Sequence, residues 1–364
     1  MRKLKIVLAM PSHSNFAQPI EKNLRHHHFD VTYINCAPEC LKHIKLPVSD
    51  YFYHLYRKVF HADFSHKAQA KQNIKQNWIS NNIRQQLQDQ DFDYALVIRP
   101  DLFFCPNLVQ IKQQTQHNFV GYQWNGLNRF PDTMHKIHHF DRFFAFDHQD
   151  LSNEQFDDYQ LLGCTNFYFD MYQPKPAPHE GIVAYFVGLH FDDRSTPLDH
   201  CARALAQHGI QLDFNIKCRH GDEHAKSQYQ SQDIQFIEKN INFDENIQHI
   251  NHADILVDVV NPVHLGLSFR TFEALYYAKK LITNNAAVQD YDFYHPNNML
   301  IWDGEDLSML EDFLSLPYHP IADSIRNKYS FGNWIRNMLD LSPYQPIRLP
   351  NLDHALQLDQ IIDT

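Results

Sequence analysis

The chain reads as an α/β protein of the doubly wound class, built as two domains. Its 364 residues exceed what one hydrophobic core usually serves, because single cores stop growing near ~250–300 residues. Short apolar runs, unbroken rather than alternating, recur between helical stretches, as in parallel strands covered on both faces. A proline cluster, Gln173-Pro-Lys-Pro-Ala-Pro178, can continue neither a helix nor a central strand and marks a linker. The expected domains are 1–173 and 179–330, with a tail over 331–364 able to pack back on the first domain. Two such domains facing a central cleft would hold a ligand at the carboxyl ends of their strands.

In chain order, Lys5–Met10 is an apolar first strand closed by Pro11-Ser-His-Ser-Asn15, and Ile20–His26 has helical character. Val31–Ile34 follows as a second strand, so the first 35 residues fit a βαβ unit. Tyr94–Ile98 runs directly into Arg99-Pro-Asp101; Phe119–Tyr122 and Phe143–Phe146 are further strands, and Arg129–Phe140 between them reads as helix. Beyond the prolines come strand Ile182–Gly188, a helix near His200–Gln207 and strand Gln211–Lys217. Strand Ile255–Val260, helix Phe269–Ala278 and strand Leu281–Thr283 continue the same alternation.

Composition narrows the function. With 43% hydrophobic and 13% aromatic residues, the chain can build real cores and is not disordered. Its net charge of −11, with no long basic run, argues against nucleic acid as the main partner. The six cysteines (36, 40, 105, 164, 201 and 218) are scattered, without a CxxC pair, which fits reduced thiols and a cytoplasmic setting. The apolar run Ile6–Met10 is shorter than the ~7–15 residues of an export segment. Nothing approaches the ~18 apolar residues of a spanning helix.

The most informative stretch is Ile255–Asn285. After the strand and the loop Asn261-Pro-Val-His-Leu-Gly-Leu267, Ser268 stands where a helix cap belongs, ahead of Phe269-Arg-Thr-Phe-Glu-Ala-Leu-Tyr-Tyr-Ala278. A helix start presents unpaired N–H groups and partial positive charge, suited to a diphosphate. Arg270 in the first turn would add a charge-assisted contact. Glu273, one turn deeper, could accept hydrogen bonds from paired ribose hydroxyls. The plain alternative is an Arg–Glu pair on a solvated helix face, worth at most ~0.5 kcal/mol.

This run, with Gly266-Leu-Ser-Phe-Arg-Thr-Phe-Glu-Ala-Leu275 and Lys279-Lys-Leu-Ile-Thr-Asn284, resembles the donor-site region of bacterial glycosyltransferases of capsule, exopolysaccharide and lipopolysaccharide synthesis, a group related to CgeB-like proteins. The resemblance extends to Asp292-Phe-Tyr-His-Pro-Asn-Asn298, to Lys328-Tyr-Ser with Trp334, and more weakly to Tyr94–Arg99, Tyr122-Gln-Trp-Asn125 and Phe140–Asp147. It implies a GT-B fold of two Rossmann-like domains, sugar nucleotide on the C-terminal one and acceptor on the N-terminal one. Gly266, Ser268, Arg270, Thr271 and Glu273 would then bind the donor. Three positions depart from the pattern: Val263 and His264 replace an expected Gly-x pair, Asn125 replaces an Asp, and Leu265 stands where retaining enzymes of the largest class carry a first glutamate.

Further donor ligands are expected from the first turn of the second domain, Gly188 and Arg194, and from Lys217 at the next strand end. Each could equally be a surface or turn residue. His13 and Asp101 follow strands on the ligand side and are the candidate bases, with turn roles as the alternative. The triplets Asp89–Asp91, Asp91–Asp93 and Asp290–Asp292 read as structural. His135, His138 and His139 could place two imidazoles on one helix face, but no Cys or carboxylate completes a metal site at suitable spacing. No metal and no cofactor is expected, the nucleotide sugar, a UDP-sugar first, being substrate. The expected activity is glycosyl transfer to a surface glycan or lipid-linked glycan. The alternatives are a sugar-nucleotide epimerase or phosphoalcohol transferase on the same fold, or a non-catalytic binding protein. A lipid-linked acceptor would be compatible with peripheral contact at the inner face of the plasma membrane, although no amphipathic basic helix stands out.

Overall fold

In the computed structural model the described residues are 2–12, 16–37, 44–61, 64–88, 90–156, 158–260, 266–305 and 307–350. They form two six-stranded sheets. The first part of the chain runs β1 (Leu4–Met10), α1 (Ala17–His26), β2 (Phe29–Asn35), α2 (Val48–His61), α3 (His66–Leu87), β3 (Tyr94–Ile98), α4 (Cys105–Gln113), β4 (Phe119–Gln123), β5 (Arg142–Ala145), α5 (His148–Ser152) and β6 (Leu161–Gly163). The sheet order is β2-β1-β3-β4-β5-β6, with β1 parallel to β2 and β3, and β3 parallel to β4. Ile6–Met10 and Ala95–Ile98 are completely buried, which is why these runs carry no polar face. Asp93 accepts the Lys5 N–H at 2.7 Å and pairs with Arg2, so it ties the edge of β3 to β1. Asp89 lies outside the described residues.

The second part runs β7 (Val183–Leu189), α6 (Asp192–Gln207), β8 (Gln211–Lys217), α7 (Glu223–Ser227), β9 (Ile234–Ile237), α8 (Phe243–His252), β10 (Ile255–Asp258), α9 (Phe269–Tyr277), β11 (Lys280–Thr283) and β12 (Met299–Ile301), then α10 (Leu310–Ser315), α11 (Asp323–Lys328) and α12 (Phe331–Leu339). Its order is β9-β8-β7-β10-β11-β12, every neighbouring pair parallel. That is the Rossmann order, the chain starting in the middle, winding outward one way and then the other. Its core gathers apolar residues of β7, β8, β10, α6 and the last strands, with Trp302 and Phe313 at one end.

The chain divides into two compact units: Met1–Phe144 with Asp157–Leu162 and Met338–Asp340, and Ala145–Phe156 with Gly163–Asn337 and Leu341–Thr364. The structural division therefore falls ahead of the proline cluster, and the chain passes between units more than once. Two stretches differ from the sequence reading. The sequence names no element between the second and third strands, where α2 and α3 lie. Arg129–Phe140 is 3₁₀ rather than α-helix, as Leu127–Arg129 and Pro131–His139. At three residues per turn His135 and His138 share a face and His139 does not.

Candidate functional site

In the second unit the strand order reverses between β7 and β10, and the carboxyl ends of strands at such a reversal are where doubly wound sheets bind ligands. Here Ser268 caps α9: its hydroxyl accepts the Arg270 N–H at 3.0 Å and donates to Asp258 Oδ2 at 2.7 Å. One side chain thus fixes the helix start against the end of β10. Burial pushes the Asp258 carboxyl above its ordinary range, while Ser268 and the Arg270 and Arg194 cations pull it down. Gly266 lies against Phe146; a Cβ there would come within 2.7 Å of the Phe146 carbonyl oxygen and closer still to its ring. Only a residue without a side chain lets the loop approach that backbone.

Arg270 and Glu273 are joined at this helix start. Arg270 Nη1 is 2.8 Å from Glu273 Oε2, with side chains only 11% and 10% exposed. This is not the solvated pair that i, i+3 spacing alone allows. The Arg270 guanidinium lies 4.9 Å from the Tyr185 ring centroid. Asn246 on α8 accepts from the Tyr185 hydroxyl at 3.0 Å and from Arg270 Nη2 at 3.4 Å, and donates to Glu273 Oε1 at 3.0 Å. Burial disfavours the Arg270 cation, but Glu273, Tyr185 and Asp258 together outweigh it and the guanidinium is held charged. Burial raises Glu273 against the opposing effects of Arg270 and Asn246. Beside this cluster His249 stacks on Tyr185, ring centroids 5.0 Å apart, and is bonded to Asp213, which raises its pKa.

The remaining expected residues divide. Arg194 reaches the same strand ends: its Nη1 donates to the Val259 carbonyl at 3.4 Å and its Nη2 to that of Leu189. Burial lowers its pKa, countered by Asp258. Gly188 leaves the room it needs, since a Cβ there would stand 2.9 Å from Arg194 Nη2. Thr271 is buried on the inner side of α9. Lys217 lies beside Leu189 at the end of β8, with its side chain bonded to Asn240 Oδ1. Asn246, Tyr185 and Asp258 are the members that sequence reasoning missed. Asn246 lies 27 positions from Glu273, and no local spacing announces such a contact.

In the first unit the order reverses between β1 and β3. Arg99, leaving β3, has φ 64°, a left-handed backbone that non-glycine residues seldom take. It is held there by two bonds of 2.7 Å to the two oxygens of Asp101 and by the Phe130 ring 4.2 Å away. Both Asp101 oxygens are thereby engaged by Arg99. The Asp101 carbonyl accepts from the buried Lys136 at 2.8 Å; burial lowers the Lys136 pKa. Asp101 and Lys136 line a cavity of about 760 Å³ with Lys71, Lys75 and His135 over an apolar floor that includes Leu102 and Phe103. His13 lies outside the described residues, as do Val263, His264 and Leu265. Among the described residues no group of three His, Cys, Asp or Glu is placed to hold a metal ion. Asp292 instead accepts from Tyr329 at 2.6 Å and Lys328 at 3.0 Å.

No family model and no curated protein matches the chain. Solved structures do. An α-glucosyltransferase in complex with UDP and a 13-mer DNA containing an HMU base superimposes with TM-score 0.54 at 9% identity, covering 99% of both chains. A UDP-N-acetylglucosamine 2-epimerase, so described provisionally, from Listeria monocytogenes gives 0.51 at 11%, covering 95% of this chain and 99% of the other. The UDP-GlcNAc 2-epimerase from Neisseria meningitidis bound to UDP-GlcNAc gives 0.50 at 11%, covering 93% and 99%. At these identities the likeness is one of fold: the chain has the GT-B fold, with two Rossmann-like domains.

Proposed function

We propose that this chain binds a nucleoside-diphosphate sugar, a UDP-sugar first, at the β7/β10 crevice and transfers the sugar to a glycan or lipid-linked glycan of the cell surface. The observation that carries the reading is the buried Arg270–Glu273 pair at the capped start of α9, set where a doubly wound sheet receives its ligand. The N–H groups of the first helical turn and the Arg270 and Arg194 guanidiniums face negative charge that grows on a departing diphosphate, and stabilise it where it develops. Glu273 Oε1 accepts one bond from Asn246 and Oε2 is ion-paired with Arg270, and a carboxylate so engaged keeps lone pairs for a ribose hydroxyl. UDP in the glucosyltransferase structure and UDP-GlcNAc in the Neisseria one support the choice of uridine first. DNA, present in that glucosyltransferase complex, is disfavoured as a partner here by the net charge of −11.

Calorimetry with UDP-, GDP-, CMP- and CDP-sugars, without and with divalent metal, tests the donor. Micromolar binding of one nucleotide class supports the reading, and no binding by folded protein contradicts it. A second reading, sugar-nucleotide epimerisation, draws on the two epimerase structures. It requires conversion of the donor sugar with no acceptor present, whereas transfer leaves the donor intact until an acceptor is added.

A further inference from the structure

Helix α2 is turned inside out. Its half-buried positions are Asp50, His54 and Arg57, which at i, i+4 and i+7 share one face. That face meets α3, where the His54 and His66 rings stack 6.2 Å apart. The apolar residues point away from the protein. Val48, Phe52, Val59 and Phe60 are 72%, 63%, 66% and 71% exposed, and Phe64 just beyond is 65% exposed. A contiguous apolar surface of this kind marks an interaction site rather than ordinary solvent exposure. Three tyrosines, Tyr51, Tyr53 and Tyr56, lie among them about half exposed; a ring that is apolar along its body and polar at its tip suits the boundary between lipid and water.

The charge around this surface has a sign. From Val48 to Leu87 the sequence holds six Lys and Arg against two Asp, in a chain whose net charge is −11; Lys71 and Lys75 of these line the first unit's cavity, while Lys58 and Lys67 are exposed. Helix α3 contains no acidic residue at all. Lys58 lies 5.6 Å from the Phe64 ring centroid and Arg57 5.9 Å from that of Tyr53, so cations and exposed rings belong to one patch. A second copy docked on the same face would set this positive patch against itself. An anionic surface complements it. The helix has 14 residues, about 21 Å at 1.5 Å per residue, which is too short to cross the ~30 Å hydrocarbon layer. Among the described residues no helix is long and apolar enough to cross a membrane.

We infer that α2, with the exposed Lys58 and Lys67 beside it, is an interfacial helix that lays the first unit on an anionic bilayer. Its phenylalanines and valines enter the acyl boundary, its tyrosines sit at headgroup level, and Lys58 and Lys67 meet lipid phosphates. This inference stands apart from the sugar-transfer reading and survives its failure.

The test is co-sedimentation of the full chain with vesicles of phosphatidylcholine alone or mixed with phosphatidylglycerol, at ~0.1 M and ~1 M salt, where the screening length falls from ~10 Å to ~3 Å. Binding is expected to the mixed vesicles and to weaken at high salt. Phe52→Ser with Phe60→Ser should reduce partitioning at least about tenfold. Lys58→Gln and Lys67→Gln should each reduce it about fivefold on anionic lipid only. Because these side chains project from the protein, the thermal midpoint of each variant should match the parent. No binding to mixed vesicles at low salt, or equal binding by the phenylalanine variant, would overturn the inference. So would a salt-stable dimer in sedimentation equilibrium that the phenylalanine variant abolishes, in protein that ignores vesicles.

Discussion

Arg270 and Glu273 illustrate how much burial changes the meaning of a pair three residues apart. On an open helix face the interaction would contribute at most ~0.5 kcal/mol. With both side chains nearly covered, removing one partner strands a charge and should destabilise by about 3–5 kcal/mol. Urea unfolding should therefore show Arg270→Met as strongly destabilised, and Arg270→Met with Glu273→Leu as less so than the sum of the single changes; additive effects would mean the pair is solvated after all. His148 offers a test by pH. Burial pushes its imidazole down from 6.5 to about 4, with Nε2 3.3 Å from the Tyr291 hydroxyl. Below pH 6.5 the unfolded chain takes up a proton that the folded chain refuses, so stability falls as pH drops through this window, by up to about 3 kcal/mol. His148→Gln should lose less stability than the parent between pH ~7 and pH ~4.5, as read from urea midpoints; parallel loss would show that His148 stays solvated. At this scale the sequence disclosed the residues that lie close along the chain. Ser268, Arg270 and Glu273 are recognisable from cap and helix spacing, whereas Asn246 and Tyr185 reach them only through sheet pairing and helix packing.

Helix α9 and its approach loop act as one element. Ser268 secures the first turn, and Gly266 allows the loop to press on the Phe146 backbone. Gly266→Ala should destabilise by about 1–3 kcal/mol, because the added methyl meets a carbonyl oxygen and a buried ring rather than a flexible side-chain end. An unchanged urea midpoint would mean that the loop relaxes freely. Most strands were legible within one or two residues, since an unbroken apolar run between turn residues has few other readings; Tyr94–Ile98 and Gln211–Lys217 coincide with β3 and β8. Helices α2 and α3 were not legible, and for a physical reason. The apolar residues of α2 face outward and its polar positions face α3, the reverse of a core-facing helix, and α3 is so rich in Gln and Asn that only Ala70, Ile79, Ile83 and Leu87 are buried.

For the whole molecule, two strand orders matter more than any single contact. One sheet reverses between β1 and β3 and the other between β7 and β10, and each reversal carries polar side chains that sequence reasoning expected at strand ends: Arg99 and Asp101 in the first, Arg194, Ser268 and Arg270 in the second. The fold class was readable from the alternation of runs and helices. The unit boundaries were not, because the proline cluster is a local signal whereas compactness depends on where 145–156 and 338–340 pack. The central claim is that the second sheet's reversal point is a nucleotide-sugar site organised by Glu273. Titration of the parent and of Glu273→Gln with the preferred nucleotide sugar tests it most directly, since the amide keeps the side chain's shape and removes its charge. The account predicts micromolar affinity for the parent and at least a tenfold loss, about 1.4 kcal/mol, for a variant that remains folded. Equal affinities for the two proteins would contradict it.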